Sequence, residues 1–357
     1  MDLDSILKVA VRGGASDILL KVGSRPTFRF NGDLTPLRDG MALTQDVIAE
    51  WIDRILPGHL RKRLDSAGDA DFSYQSHHKH RFRVNAFRQR QTYGMVLRVI
   101  SNHIRTLEEL QLPKVVASFA DWQRGLVLFT GATGSGKSTS LASIIQKINS
   151  DQPRHIITIE DPIEFEFKDG RSTINQREVG IDTVSFSSAL RAALRQDPDV
   201  ILVGELRDKE TTETALMAAE TGHLVFSTLH TLDAVESLTR LLSYFDPHQQ
   251  HSIRLMLSQT LKAVVSQRLV SRADGRGLVA ALEIMIVNER IRDMILSGER
   301  FDGLHQAIKV SNDSYGMQSF DQSLMSLFES GVISREEALQ QASNRDDMEL
   351  ALTGVDR

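Results

Sequence analysis

Residues Gly131 to Thr139 read GATGSGKST, which fits G-x-x-x-x-G-K-[ST] with Gly131, Gly136, Lys137 and Ser138 in the defining places. Glycines let a backbone turn its N–H groups inward around an anion. The lysine brings charge to the terminal phosphates, and the hydroxyl of Ser138 can ligate Mg²⁺. The short apolar run LVLFT, Leu126 to Thr130, precedes the loop and has the length of a buried parallel strand. Leu141, Ile144, Ile145 and Ile148 follow at helical spacing. Strand, glycine loop and helix in this order aim a helix N-terminus at a phosphate.

Further along, several apolar runs end in polar residues: HIITIED at Glu160 and Asp161, DVILVGE at Glu205, and HLVFSTLH at His230. In an open parallel sheet, ligands bind beyond the carboxyl ends of the strands, so these endings are expected to converge on one crevice. A loop that holds Mg-nucleotide still needs a group to orient or deprotonate water. Glu205 is the candidate for the metal or its water shell, and Glu164, in EDPIE, is the candidate general base. Either could instead be an ordinary ion-pairing acid. Ser185–Arg195, Thr211–Glu220 and Ala234–Leu242 read as helices, completing an alternating α/β pattern. From His248 to Val270 the residues Ile253, Met256, Leu257, Leu261, Val264 and Val265 predict one long helix with a packing face.

At 357 residues the chain exceeds the size at which single cores stop growing, and two or more domains are expected. Hydrophobic content of 41%, charged content of 25% and a net charge of -5 describe a globular chain and argue against a generally basic nucleic-acid binder. There are no cysteines, which excludes disulfides and thiolate metal sites. The N-terminus, MDLDSILKVA, carries acids where a signal peptide would be basic, and no apolar run approaches the roughly 20 residues that span a bilayer. A cytoplasmic protein is expected, with any membrane association made through a partner.

Residues 1–100 read as a small α+β domain. A first helix (Ile6, Leu7, Ala10, Val11) stops at Gly13-Gly14, strands DILLKV and TFRF follow, and Asn31-Gly32 supplies a turn signal before DLTPL. Thr44–Leu64 is helical with a break at Pro57-Gly58. From His77 to Arg98 there are six Lys or Arg and no acid. In HRFRVNAF, Phe82, Val84 and Ala86 face one side while Arg81, Arg83 and Asn85 face the other. Three readings fit this strand: a solvated face, a nucleic-acid surface disfavoured because the aromatics are on the opposite side, and anion clamps for a phosphate carried by another domain or subunit. His77, His78 and His80 read as a solvated turn rather than a metal site. Residues 101–112 read as a linker, 113–285 as the nucleotide domain and 286–357 as a helical region in which Phe320, Leu324, Leu327 and Phe328 form a core face.

GATGSGKST, ITIEDPIE, INQREVG, ALRAALRQDPDVILVGELRD and ETGHLVFSTLHT occur here in the order found in secretion ATPases of type IV pilus and type II secretion systems, and the chain resembles that family over nearly its whole length. The resemblance implies a RecA-like P-loop ATPase domain preceded by a PAS-like α+β domain and followed by a helical C-terminal region. It implies ATP and Mg²⁺ as cofactors and assembly as a cytoplasmic homo-hexamer beneath an inner-membrane platform protein. Carried over residue by residue, the nucleotide loop comprises Gly131, Thr133, Gly134, Ser135, Gly136, Lys137, Ser138 and Thr139, and the acidic box comprises Glu160, Asp161 and the base Glu164. The Walker B glutamate is Glu205, Arg207 follows it, and the histidine box runs from His223 to His230. Arg81, Arg83 and Arg98 resemble arginines that reach a neighbour's nucleotide. Absence of cysteine and a short N-terminal region favour the retraction branch over the assembly branch. The C-terminal segment written AIRNLIREGK in retraction enzymes reads RIRDMILSGER here, keeping Ile291, Arg292, Ile295 and Gly298, and the alternative is an accessory retraction paralog or a pilus assembly or type II secretion ATPase. As a different class, a nucleic-acid translocase would use the same core, although no direct nucleic-acid contact is expected.

Overall fold

The computed structural model describes residues 2–30, 32–100, 103–297, 301, 303–311 and 315–355. Asn31 of the predicted turn, Ser101 and Asn102 of the linker, and Gly298 of the C-terminal motif lie outside the described residues. By internal contacts the chain divides into two units, Met1–His103 with Glu164–Glu166, and Ile104–Ile163 with Phe167–Arg357.

The smaller unit is built on helix α1 (Leu3–Arg12), strands β1 (Asp17–Lys21), β2 (Thr27–Phe30) and β3 (Asp33–Pro36), helices α2 (Gln45–Ile55) and α3 (Arg61–Ala67), and strands β4 (Asp69–Gln75), β5 (Arg81–Gln89) and β6 (Thr92–Ile100). The six strands form one antiparallel sheet in the order β3-β2-β1-β6-β5-β4. Alternation decides which face is buried. Phe82, Val84 and Ala86 point into a core shared with Ile6, Leu7, Ile48 and Ile52, while Arg83 is exposed.

The larger unit begins with α4 (Lys114–Ser118) and β7 (Gly125–Thr130), whose six residues are all buried. It continues through α5 (Lys137–Asp151), β8 (His155–Glu160), β9 (Thr173–Glu178), α6 (Phe186–Ala193), β10 (Val200–Val203), α7 (Lys209–Glu220), β11 (Leu224–Leu229), α8 (Ala234–Ser243) and α9 (Pro247–Thr260). Strands β12 (Leu261–Ser271) and β13 (Leu278–Ile286) follow, then α10 (Glu289–Ser297), α11 (Leu304–Val310), α12 (Phe320–Glu329), α13 (Arg335–Gln341) and α14 (Arg345–Val355). The sheet order is β13-β12-β7-β11-β10-β8-β9, parallel throughout except for the antiparallel β12–β13 pair. Both faces of β7, β8, β10 and β11 are covered, which explains why these four strands read as continuous apolar runs. Leu126, Ile157, Ile201 and Val225 pack against the face of α6 to α9, whereas Val127, Phe129, Leu202 and Phe226 pack with Ile144, Ile145 and Ile148 of α5.

The single helix predicted from His248 to Val270 is two elements. It stops at Thr260, Leu261 takes an extended conformation (φ -67°, ψ 127°), and the remainder is β12. β12 is buried on both faces over 263–267, so its apolar residues do not alternate strictly and a 3.6-residue period continues through it by coincidence; Val264 and Val265 carry the β-branched signal that favours a strand. The region beyond residue 286 is helical, with Ile291 and Ile295 in the core of the sheet domain and Leu324, Ile333, Ala338 and Leu352 in a satellite cluster on Val270 and Val279. No described helix is long and apolar enough to cross a membrane.

Because Phe226 is fully buried at the centre of the sheet, Phe226→Ala is expected to destabilise the larger unit by about 3–5 kcal/mol, measured as a lowered thermal midpoint for loss of its near-UV signal.

Candidate active site

Parallel pairing of β8, β10, β11 and β7 places their carboxyl ends along one edge, with Val203 opposite both Ile159 and Ser227, and Thr130 opposite Leu229. The phosphate loop leaves β7 at this edge and enters α5 at Lys137. Gly131, Gly134 and Gly136 have φ of 142°, 80° and 87°, the region where a side chain is strained. A Cβ at Gly131 would overlap the carbonyl oxygen of Gln267, and one at Gly136 would fall 2.7 Å from its Nε2. Lys137 is buried, and its ammonium donates to the carbonyls of Gly131 and Ala132 at 2.7 and 3.0 Å. The buried Ser135 hydroxyl has no hydrogen-bond partner among the described residues. Ser138 and Thr139, in the first turn of α5, are half-buried, while Thr133 is exposed.

Glu205 follows β10 and is buried. Arg207 approaches its Oε1 at 2.5 Å, and His230, just past β11, stands 3.4 Å from its Oε2. That second oxygen accepts no hydrogen bond among the described residues. On the next strand, Glu160 Oε1 accepts the Thr158 hydroxyl at 2.7 Å and the Gln176 amide at 3.2 Å. Asp161 is exposed beside it. Three helices that leave this edge are capped by side chains: Ser185 accepts from Ser188 N, Asp208 from Thr211 N, and Asp233 from Glu236 N. The final Asp of GELRD is thus a helix cap.

These features fit Mg-nucleotide. Gly131 and Gly136 leave no room for a side chain on the side that faces β12, the lysine could exchange its loop carbonyls for phosphate without leaving the loop, and a carboxylate oxygen with no hydrogen bond among the described residues suits a metal's water shell. Ser135, Lys137, Ser138, Glu160, Glu205, Arg207 and His230 lie along the strand-end edge. His223 does not. It precedes β11 at its amino end, where its Nδ1 meets the Ala218 carbonyl at 2.9 Å, roughly 20 Å of strand away from His230. The expectation of His223 at the nucleotide is therefore corrected: an all-buried strand separates the two ends of the histidine box.

Glu164 is exposed and groups with the smaller unit. In that unit Arg81 is 3.4 Å from Glu166, and Arg98 is bound to Asp17 at 2.9 Å. Arg83 is paired in register with Arg98 across β5 and β6, a like-charge neighbour that favours an anion nearby.

Sequence reasoning missed Gln267. Buried on β12, it donates from Nε2 to the Ser135 carbonyl at 2.8 Å and accepts the Ser140 hydroxyl at 2.9 Å, bracing the loop to the first turn of α5. Its partners are more than a hundred residues away in sequence, and β12 itself was read as helix.

A sequence model of the family described as type II/IV secretion system protein matches residues 1–312. The chain belongs to this family. Within the type II/IV secretion family, the type IV pilus retraction ATPase PilT of Pseudomonas aeruginosa is 44% identical over 342 residues, 96% of this chain and 98% of its own length. The type IV pilus ATPase PilU of the same organism is 40% identical over 352 residues, 99% of this chain and 91% of its own. The crystal structure of the pilus retraction motor PilT with bound ADP matches with a TM-score of 0.90 at 42% identity, covering 98% of this chain and 99% of that one. The N-terminal unit, the parallel-sheet domain and the C-terminal helices are thus the fold of that family.

Replacing Gln267 by Ala leaves the Ser135 carbonyl and Ser140 hydroxyl unmatched beside the loop. Gln267→Ala is expected to weaken ATP binding about tenfold or more, read by titration with a fluorescent ATP analogue.

Proposed function

We propose that the protein is an ATP-hydrolysing motor that works as a homo-hexamer and powers type IV pilus retraction, and with it twitching motility, by driving an inner-membrane platform protein from the cytoplasmic side. The observation that carries this reading is Glu205, a buried carboxylate paired with Arg207 beside a phosphate loop, whose second oxygen stands 3.4 Å from His230 and accepts no hydrogen bond among the described residues. Its setting matches the task of holding water or a metal's hydration shell. When bound, MgATP supplies the phosphoryl group for transfer to water. Lys137 and the loop bind its phosphates, Ser138 contributes a metal-ligating hydroxyl, and Glu164 takes the proton of the attacking water. Glu160 and Asp161 add the remaining acids of the crevice.

Arg81, Arg83 and Arg98 complete a neighbouring subunit's site in this reading. Of the three, Arg83 fits best: Arg98 and Arg81 would each have to release a carboxylate, whereas exposed Arg83 forms no ion pair among the described residues. Closure of one subunit on the next and reopening after hydrolysis then supply the stroke. The likeness to PilU along 99% of this chain favours a second reading, an accessory retraction ATPase that acts with a paralog. The kept Ile291, Arg292 and Ile295 are packing and bracing groups: the isoleucines are buried, and Arg292 donates to the Ser258 carbonyl at 3.1 Å.

Glu205→Ala is expected to bind ATP as wild type does and to lose turnover by about a hundredfold or more. Wild-type hydrolysis in that variant would remove Glu205 from its role. Mixed oligomers of Arg83→Ala and Lys137→Ala subunits are expected to exceed either parent in ATPase rate; mixtures that never do so would refute the trans arginine. Deletion in the source cell should leave accumulated, non-retracting surface pili, whereas bald cells would indicate assembly and steep stimulation of hydrolysis by DNA or RNA a translocase.

A further inference from the structure

Glu283 on β13 is 3% exposed and has no part in the nucleotide site as described so far. Thr130, Ser266 and Glu283 stand in register across β7, β12 and β13. The Thr130 hydroxyl donates to Ser266 Oγ at 3.0 Å, and the Ser266 hydroxyl faces Glu283 Oε1 at 3.5 Å. The same carboxylate oxygen accepts the Ala234 N–H at 2.9 Å, at the first residue of α8. The other oxygen is 3.6 Å from His305 Nδ1 on α11. One buried anion therefore touches the strand row that ends at the phosphate loop, the helix that begins four residues after His230, and the C-terminal helical region.

A helix start presents unmatched N–H groups and partial positive charge, so a carboxylate there fixes the helix as well as being held by it. A buried anion left without its partners is strongly disfavoured, which makes the arrangement all-or-none rather than loosely adjustable. A purely space-filling role would be met better by an apolar residue.

We propose that Glu283 is a positioning residue for ATP turnover: it locks the end of β7 to the start of α8, and it takes its own orientation from His305. The inference rests on the ATPase reading of the phosphate-loop site. His305 faces a cavity of about 610 Å³ that also receives Asp233 from the α8 cap, Arg268 from β12, Lys309 from α11, Asp321 from α12 and Asp347 from α14. Arg268 is drawn off by the Phe320 ring, 3.9 Å from its centroid, and by the Gln341 carbonyl. The Glu283 carboxylate beside it raises the His305 pKa above its ordinary 6.5, burial opposes this, and the charge of Asp233 assists it. The pair's contribution is thus complete below the ordinary histidine value and is lost as pH rises through the raised one.

The test uses the full-length protein with Glu283→Ala, Glu283→Gln and His305→Gln, following steady-state ATP hydrolysis from about pH 6 to 9 and fluorescent-nucleotide affinity. Glu283→Ala is expected to lower kcat about tenfold or more while KM and nucleotide Kd change less than about threefold. The wild type is expected to lose kcat as pH rises through the raised His305 value, and Glu283→Gln and His305→Gln are both expected to lack that decline; a wild type without it overturns the role of His305. Should Glu283→Ala not fold, Glu283→Gln, which keeps the buried volume, carries the test through its pH profile. An unchanged kcat in folded Glu283→Ala, a kcat loss matched by an equal loss of nucleotide affinity, or a wild-type pH profile in His305→Gln each overturns the proposal. Absence of hydrolysis by the wild type would overturn the ATPase reading itself, and is distinct from wild-type turnover that the Glu283 variants share.

Discussion

The phosphate loop and β12 lie closer than any side chain at Gly131 would permit. The Gln267 carbonyl occupies the place of a Cβ at Gly131, and the Gln267 amide stands against Gly136 while bonding to Ser135 and Ser140. Glycine in this loop is thus required twice, once by left-handed backbone and once by the neighbouring strand. That packing confines the loop from one side, so the open side alone is left for a phosphate.

The second determinant is strand direction. Since β7, β8, β10 and β11 run parallel, the polar residue that terminates each apolar run arrives at the same edge. Glu205 could not be placed there by charge preference alone, because burying it costs solvation. It is paired with Arg207 from its own turn, while His230 from the adjacent strand end stands 3.4 Å from its other oxygen. Capping by Ser185, Asp208 and Asp233 then fixes where each helix departs, and with it the short turns that carry Arg207 and His230.

How much of this was legible follows the range of the interactions. The loop, its flanking strand and helix, and the acid-terminated runs are local patterns, and all are present. The alternating face of β5 was legible for the same reason, since period two needs only a few residues. Where burial is complete, period loses its meaning: β12 has apolar residues on both faces and reads equally well as the continuation of α9. Gln267 was invisible for a related reason, as its partners are fixed by the strand pairing of β7 with β12 and by nothing near it in sequence. His223 shows the converse error, in which two histidines close in sequence were grouped although one extended strand holds them at its opposite ends.

The placement of β12 between β7 and β13 also sets the smallest part of the chain that could hold a nucleotide. A fragment ending with α9 at Thr260 would contain GATGSGKST, Glu160, Glu205 and His230, every element by which such a site is recognised. It would nevertheless lack the wall against which the loop is folded and would expose the edge of β7 to solvent. The recognisable motif and the cooperative folding unit therefore have different ends, and the latter extends at least through the β12–β13 hairpin.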